Sequence, residues 1–200
     1  IELREAGKFS QAIELLKDGI SQFSRDVDML ALLSHCHILE DDLEEATLQL
    51  DKAKSLDPDN ASVNWNKVRL LLRKKDITKA LALARHTNER FPNDIEGMGV
   101  FGSCLRANNN IEESLVYLNK AVELNPNYAE AFINRGLIHL SKENKIEALL
   151  DLESAYELKP YMKQIWNFVI NLKIEFKQFP EAIQLLTVMT KSDPTNEKNF

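Results

Sequence analysis

Proline recurs in this chain at a fixed interval: Pro58, Pro92, Pro126, Pro160 and Pro194 stand 34 residues apart. A strict period of that length marks a stacked repeat, in which no unit buries its apolar face alone and each packs on its neighbour. Other residues keep the same interval. Ala12, Ala46, Ala80, Ser114, Ala148 and Ala182 form a series of small residues, followed four positions later by Leu16, Leu50, Ala84, Leu118, Leu152 and Leu186. Three positions before each small residue come Phe9, Leu43, Ile77, Ile111, Lys145 and Phe179, and seven after come Gly19, Ala53, Thr87, Ala121, Ala155 and Met189. These offsets follow the 3.6-residue helical period, so they describe one buried helix face, with the small residue marking close approach of a second helix.

The other half of each unit has its own register: Leu30, Asn64, Met98, Phe132 and Trp166, then Ser34, Val68, Gly102, Gly136 and Ile170 four residues on. Each unit is therefore expected to be two antiparallel helices of about 13 residues, the second ending just before a Pro that cannot continue it. Only six Gly and six Pro punctuate 200 residues, too few for a many-turned β fold. The fold class expected is all-α. Asn60, Asp76, Asn110 and Asn144 stand where N-caps are needed, and Pro180 suits a first helical turn.

The pattern resembles the tetratricopeptide repeat (TPR) family, in which an aromatic, a Gly, a Tyr, two Ala and a closing Pro recur within 34 residues. Numbering each unit so that Pro is its thirty-second residue gives full repeats at 27–60, 61–94, 95–128, 129–162 and 163–196 of a single array. Residues 1–26 then form a partial repeat, and 197–200 begin a further helix, with Phe200 at the register of Phe132 and Trp166. Both ends look cut from a longer array. The resemblance implies a right-handed α-solenoid, a superhelix whose first helices line a concave groove. Departures from the pattern fall late in the first helices, at His37, Leu71, Leu105, His139 and Lys173, and at Ile170. Looser or rotated packing is expected there.

Charge and composition narrow the function. With 25 Lys plus Arg against 31 Asp plus Glu, the net charge of -6 argues against nucleic acid as a partner. RNA-reading pentatricopeptide arrays, moreover, have a 35-residue period and a basic surface. No apolar run is long enough to span a bilayer, so no direct membrane insertion is expected. Gly97, Gly99 and Gly102 spell G-x-G-x-x-G, but no strand precedes them and the register puts all three inside a first helix. Cys36 and Cys104 lie two repeats apart, too far to bridge, and two free thiols suit a reducing, cytoplasmic setting. No acid-base or nucleophile signature appears, so this segment is expected not to be an enzyme and to need neither cofactor nor metal. The sequon at Asn60 matters only in a secreted protein, and a helix cap is the expected role.

The resemblance directs attention to repeat positions 2, 5, 6, 9, 12 and 13, which point into the groove in the family. The polar contacts expected from these are Asn66, Arg69, Arg73, Arg106, Asn134 and Asn171; the apolar ones are Trp65, Ile133, Leu137 and Phe168. Asn66, Arg69 and Arg73 share one helix stripe and, with Arg106 in the adjacent repeat, suggest either a small positive patch suited to an acidic or C-terminal peptide segment or arginines paired with neighbouring Asp or Glu. Position 5 never carries the Lys of the family's carboxylate clamp. Only Asn66 and Asn134 meet the pattern resembling the asparagine ladder of protein O-linked N-acetylglucosamine transferases. The function expected is thus a non-enzymatic protein-interaction scaffold with a protein or peptide partner. The alternative is a substrate-recruiting or oligomerising segment of a larger enzyme such as such a transferase, and self-association through solenoid ends is a further expectation.

Overall fold

The computed structural model describes residues 7–162 and 165–192. The chain divides into two compact units, Ile1–Pro126 and Asn127–Phe200. Among the described residues of the first are α1 (Phe9–Gln22), α2 (Val27–Leu39), α3 (Leu43–Leu56), α4 (Ala61–Arg73), α5 (Ile77–Arg90), α6 (Ile95–Ala107) and α7 (Ile111–Leu124). The second holds α8 (Ala129–Ser141), α9 (Lys145–Leu158), α10 (Trp166–Glu175) and α11 (Phe179–Ser192). No strand occurs among the described residues, and the all-α expectation holds. The expected helix at 197–200 lies outside the described residues.

The periodic residues make the core. Ala46, Ala80, Ser114 and Ala148 have no exposed surface, and neither do Ala53, Ala121 and Ala155 one turn pair further on. At each of these the second helix presses on the first helix of its own or the following repeat, so α2 packs on α3, α4 on α5, α6 on α7 and α8 on α9. The small residue at the facing register matters most where it is Gly. A Cβ added at Gly102 would sit 2.7 Å from Leu118 Cγ, and one at Gly136 2.9 Å from Leu152 Cγ. Within each unit the second helix also packs on the next first helix, as α3 does on α4 and α9 on α10, which carries the core from repeat to repeat.

The turn inside each repeat was not legible in the sequence. Asp41, Lys75, Asn109, Glu143 and Lys177, again 34 apart, all adopt left-handed backbone with φ between 59° and 63°. Each ends a first helix in a Schellman motif, in which the following N–H reaches back to a carbonyl of the last turn: Asp42 to His37, Asp76 to Leu71, Asn110 to Leu105, Asn144 to His139 and Gln178 to Lys173. That following residue is in turn the N-cap of the second helix. Asp42 and Asp76 complete the cap with their carboxylates, which accept from Glu45 N and Lys79 N at 3.2 Å. Asn60 caps α4 as expected, accepting from Val63 N at 3.1 Å. Asn110 and Asn144 occupy cap positions without a side-chain cap bond, a departure from expectation. Asn110 Oδ1 instead accepts from Asn108 Nδ2 at 2.9 Å.

Because none of the five left-handed residues is Gly, each sets its Cβ against a carbonyl oxygen, at about 1–2 kcal/mol. Gly would remove that conflict and lose part of the gain to its freer unfolded chain. Lys75→Gly and Glu143→Gly should therefore each raise stability by about 0.5–1 kcal/mol, read as an upward shift of the thermal midpoint. Asn109→Gly should gain less, since Asn tolerates this conformation. Equal or lower midpoints for Lys75→Gly and Glu143→Gly would contradict the account.

Late in the first helices, where looser packing is expected, Leu105 and Ile170 are buried in the apolar core, while Lys173 and His37 are buried polar groups. Lys173 is buried, with its ammonium on Glu153 and, at 3.4 Å, on Gln178 Oε1. His37 is also buried, its Nδ1 lying 3.2 Å from Asp42 Oδ2 without making a hydrogen bond.

Candidate functional site

Side chains two, five, six and nine residues into a repeat leave the inner side of its first helix in one stripe, because steps of three, one and three keep close to the helical period. In the first unit these stripes enclose a hollow of about 420 Å³. From α2 come Asp28, Ala31, Leu32 and His35; from α4 come Ser62, Trp65, Asn66 and Arg69. Asp94, the N-cap of α6, and Glu96 in its first turn close the third side.

Trp65 forms the floor and is almost wholly buried. Its indole Nε1 donates to Asp94 Oδ2 at 2.8 Å, while Asp94 Oδ1 accepts from Gly97 N at 3.1 Å. One carboxylate thus caps α6 and ties it to α4. Gly97 is required by this packing, since a Cβ there would lie 2.5 Å from the indole. Two glycines of the G-x-G-x-x-G string are therefore accounted for by close approach, Gly97 under Trp65 and Gly102 against Leu118.

The polar residues of the stripe are engaged with one another. Asn66 Nδ2 donates to Ala31 O at 2.8 Å, Arg69 Nη1 donates to Asn66 Oδ1 at 2.9 Å, and Arg69 Nη2 to Glu96 Oε1 at 2.6 Å. This chain of bonds links α2, α4 and α6. Asn66 is buried, so its amide must be satisfied inside the protein and is not presented to a peptide main chain. Arg73 donates to Asp41 from Nε at 3.2 Å and from Nη2 at 2.6 Å. The positive patch suggested by the spacing is thus matched by carboxylates at both Arg69 and Arg73. Of the two readings the sequence left open, pairing with neighbouring carboxylates is the one found, with Glu96 and Asp41 each about a repeat away. Arg106 is half-buried outside this hollow, and burial draws its guanidinium below the ordinary value. Three carboxylates, Asp28, Asp94 and Glu96, face one guanidinium around the hollow.

In the second unit Ile133 belongs to the core around Trp166, and Leu137 packs half-buried against it. Asn134 Nδ2 donates to Glu130 O at 2.8 Å, within its own helix. Phe168 and Asn171 are exposed side chains of α10. A smaller hollow of about 230 Å³ lies among α9, α10 and α11, with Tyr156, Lys173, Leu185 and Val188 in its wall. Second-helix residues contribute to it, which an inspection of first-helix positions alone overlooks.

Cys36 and Cys104 are both free and buried. Burial pushes the Cys104 thiol up to about 11, which makes it a poor nucleophile. Among the described residues no helix is long and apolar enough to cross a membrane.

Three family profiles match the chain: a tetratricopeptide repeat over residues 3–63, a TPR repeat over 102–142 and a tetratricopeptide repeat over 129–161. Together they cover more than half of it. A UDP-N-acetylglucosamine–peptide N-acetylglucosaminyltransferase of Giardia intestinalis is 26% identical over 132 residues, which is 61% of this chain and 9% of that protein. The chain therefore spans about a tenth of the curated relative. Among solved structures, the human IFIT1 dimer with m7Gppp-AAAA superposes with a TM-score of 0.75 at 15% identity, over 90% of this chain and 44% of that one. YrrB, described as a TPR protein with an unusual peptide-binding site, gives 0.50 at 22% identity, over 82% of this chain and 85% of that one.

Proposed function

The chain belongs to the tetratricopeptide-repeat family, and from that premise we propose that it is a non-enzymatic interaction scaffold that holds a peptide or partner protein on the inner side of its first helices. The observation that carries this reading is the hollow of about 420 Å³, walled by consecutive first helices with a buried Trp at its floor. Its walls are braced by internal hydrogen bonds before any ligand arrives. Trp65, Asn66, Arg69 and Asp94 already hold each other in place, so a ligand meets a preorganised surface and little ordering is required of the protein. Asn66 and Arg69 then act by shaping the wall. In the second unit, the exposed Phe168 and Asn171 are the contacts of this kind. We further propose that the repeats at 27–60, 61–94, 95–128, 129–162 and 163–196 form one array.

Ser62 tests the reading because it is an exposed residue on the wall of the hollow. Ser62→Trp should fill the space at little cost in stability, whereas Leu48→Gln alters an exposed residue of α3, a second helix. In affinity capture from source lysate, partners held by the parent and by Leu48→Gln should be lost, by about tenfold or more, with Ser62→Trp. Equal capture by all three proteins would remove the hollow as the binding site.

A second reading rests on the 26% match to the Giardia transferase: the segment recruits substrate for, or oligomerises, a larger glycosyltransferase. Asn66 and Asn134 are the only asparagines at the ladder register of the five repeats, and Asn66 is tied to Ala31, which supports the scaffold reading instead. Assay of the natural full-length protein for sugar transfer from UDP-N-acetylglucosamine separates the two.

A further inference from the structure

Resting on the scaffold reading, we propose that the hollow between α2, α4 and α6 takes a basic side chain, Lys or Arg, from an extended peptide, rather than the acidic group that the arginine spacing suggests. The argument is charge complementarity in a formed hollow. Its only arginine, Arg69, is bonded to Asn66 and to Glu96, with the Glu96 contact at 2.6 Å. An incoming carboxylate would have to displace Glu96 and then sit among Asp28, Asp94 and Glu96, an arrangement of like charges. A cation meets the opposite situation. Asp94 is fixed from two sides by the Trp65 indole and the Gly97 amide, each using one oxygen, and carboxylate oxygens accept more than one bond. Asp28 is exposed at the opposite rim. The half-buried Leu32 presents apolar surface along which the methylene stem of Lys or Arg can lie while its head reaches the carboxylates. The hollow has room for such a side chain with the backbone on either side of it.

The probes are four heptapeptide mixtures with a fixed central residue (Lys, Arg, norleucine or Glu) and mixed flanks, measured against the chain by fluorescence anisotropy at low and high salt. Norleucine keeps the Lys stem without its charge. Expected is binding of the Lys and Arg mixtures about tenfold tighter than norleucine, with Glu weakest and the preference shrinking as salt screens it. Asp28→Asn, at an exposed position, should cut the Lys preference about threefold or more, and Ser62→Trp should abolish binding of all four mixtures. Lys no better than norleucine, Glu bound best, no binding of any mixture, or indifference of the Lys preference to Asp28→Asn would each overturn the proposal. Two of these separate it from the scaffold reading: norleucine or Glu mixtures that bind and are lost with Ser62→Trp leave the scaffold standing with a different ligand. Partner capture unaffected by Ser62→Trp removes the scaffold reading itself.

Discussion

Trp65→Ala should lower the stability of the first unit by about 3–5 kcal/mol, the range for truncating a buried aromatic side chain. Two losses combine: the indole leaves a void between α4 and α6, and Asp94 loses the donor held at 2.8 Å. Gly97 makes the prediction specific. Gly97→Ala alone should destabilise by about 1–2 kcal/mol, because overpacking against the indole outweighs the better helix propensity of Ala. With Trp65 already replaced by Ala, the clash is gone and only the propensity gain remains, so the same change should stabilise by up to about 1 kcal/mol. The sign reversal is the measurement, read by denaturant unfolding of the parent, both single variants and the double variant. Additive losses would mean that Trp65 and Gly97 do not share the contact described. Since the indole is also the floor of the hollow, ligand binding should fall in Trp65→Ala by more than the fraction unfolded accounts for.

Much of this architecture could be read from periodicity because burial in a repeat is itself periodic. The series through Ala46 and Ala80 announces a helix contact whichever residues surround it, and those positions have no exposed surface in the structure. The stripe that walls the hollow was legible through the family resemblance, which names positions two, five, six and nine, and helix geometry puts these on one side. What could not be read was the state of each side chain. Arg69 and Arg73 look like a patch when only their own helix is considered, and their carboxylate partners, Glu96 and Asp41, sit 27 and 32 residues away in sequence. The left-handed turns were hidden too, since Asp, Lys, Asn, Glu and Lys stand where the conformation favours Gly. Likewise the register places Gly97 inside a helix but does not reveal the Trp65 indole that lies over it.

Arg135→Met should cost the second unit about 3 kcal/mol by stranding a buried carboxylate. Asp151 is 5% exposed and receives two bonds from one guanidinium, Nε at 2.8 Å and Nη2 at 2.6 Å, across α8 and α9. The Asp151 side chain holds the Arg135 guanidinium above its ordinary value, and the same guanidinium lies 5.5 Å from the centre of the Phe132 ring. Methionine keeps much of the stem's packing, so the loss isolates the charge. His139 Nε2, at 3.9 Å, is too distant to replace the two lost bonds. Removing both charges, in Arg135→Met with Asp151→Leu, should recover most of the loss, because a well-packed apolar pair avoids desolvation altogether. In a repeat protein each helix pair leans chiefly on its neighbours, so the damage should stay local. Amide exchange should therefore rise in α8, α9 and the adjoining α10 while α2 to α5 remain protected as in the parent. A double variant no more stable than Arg135→Met would show that the pair contributes directed bonds that apolar packing cannot replace.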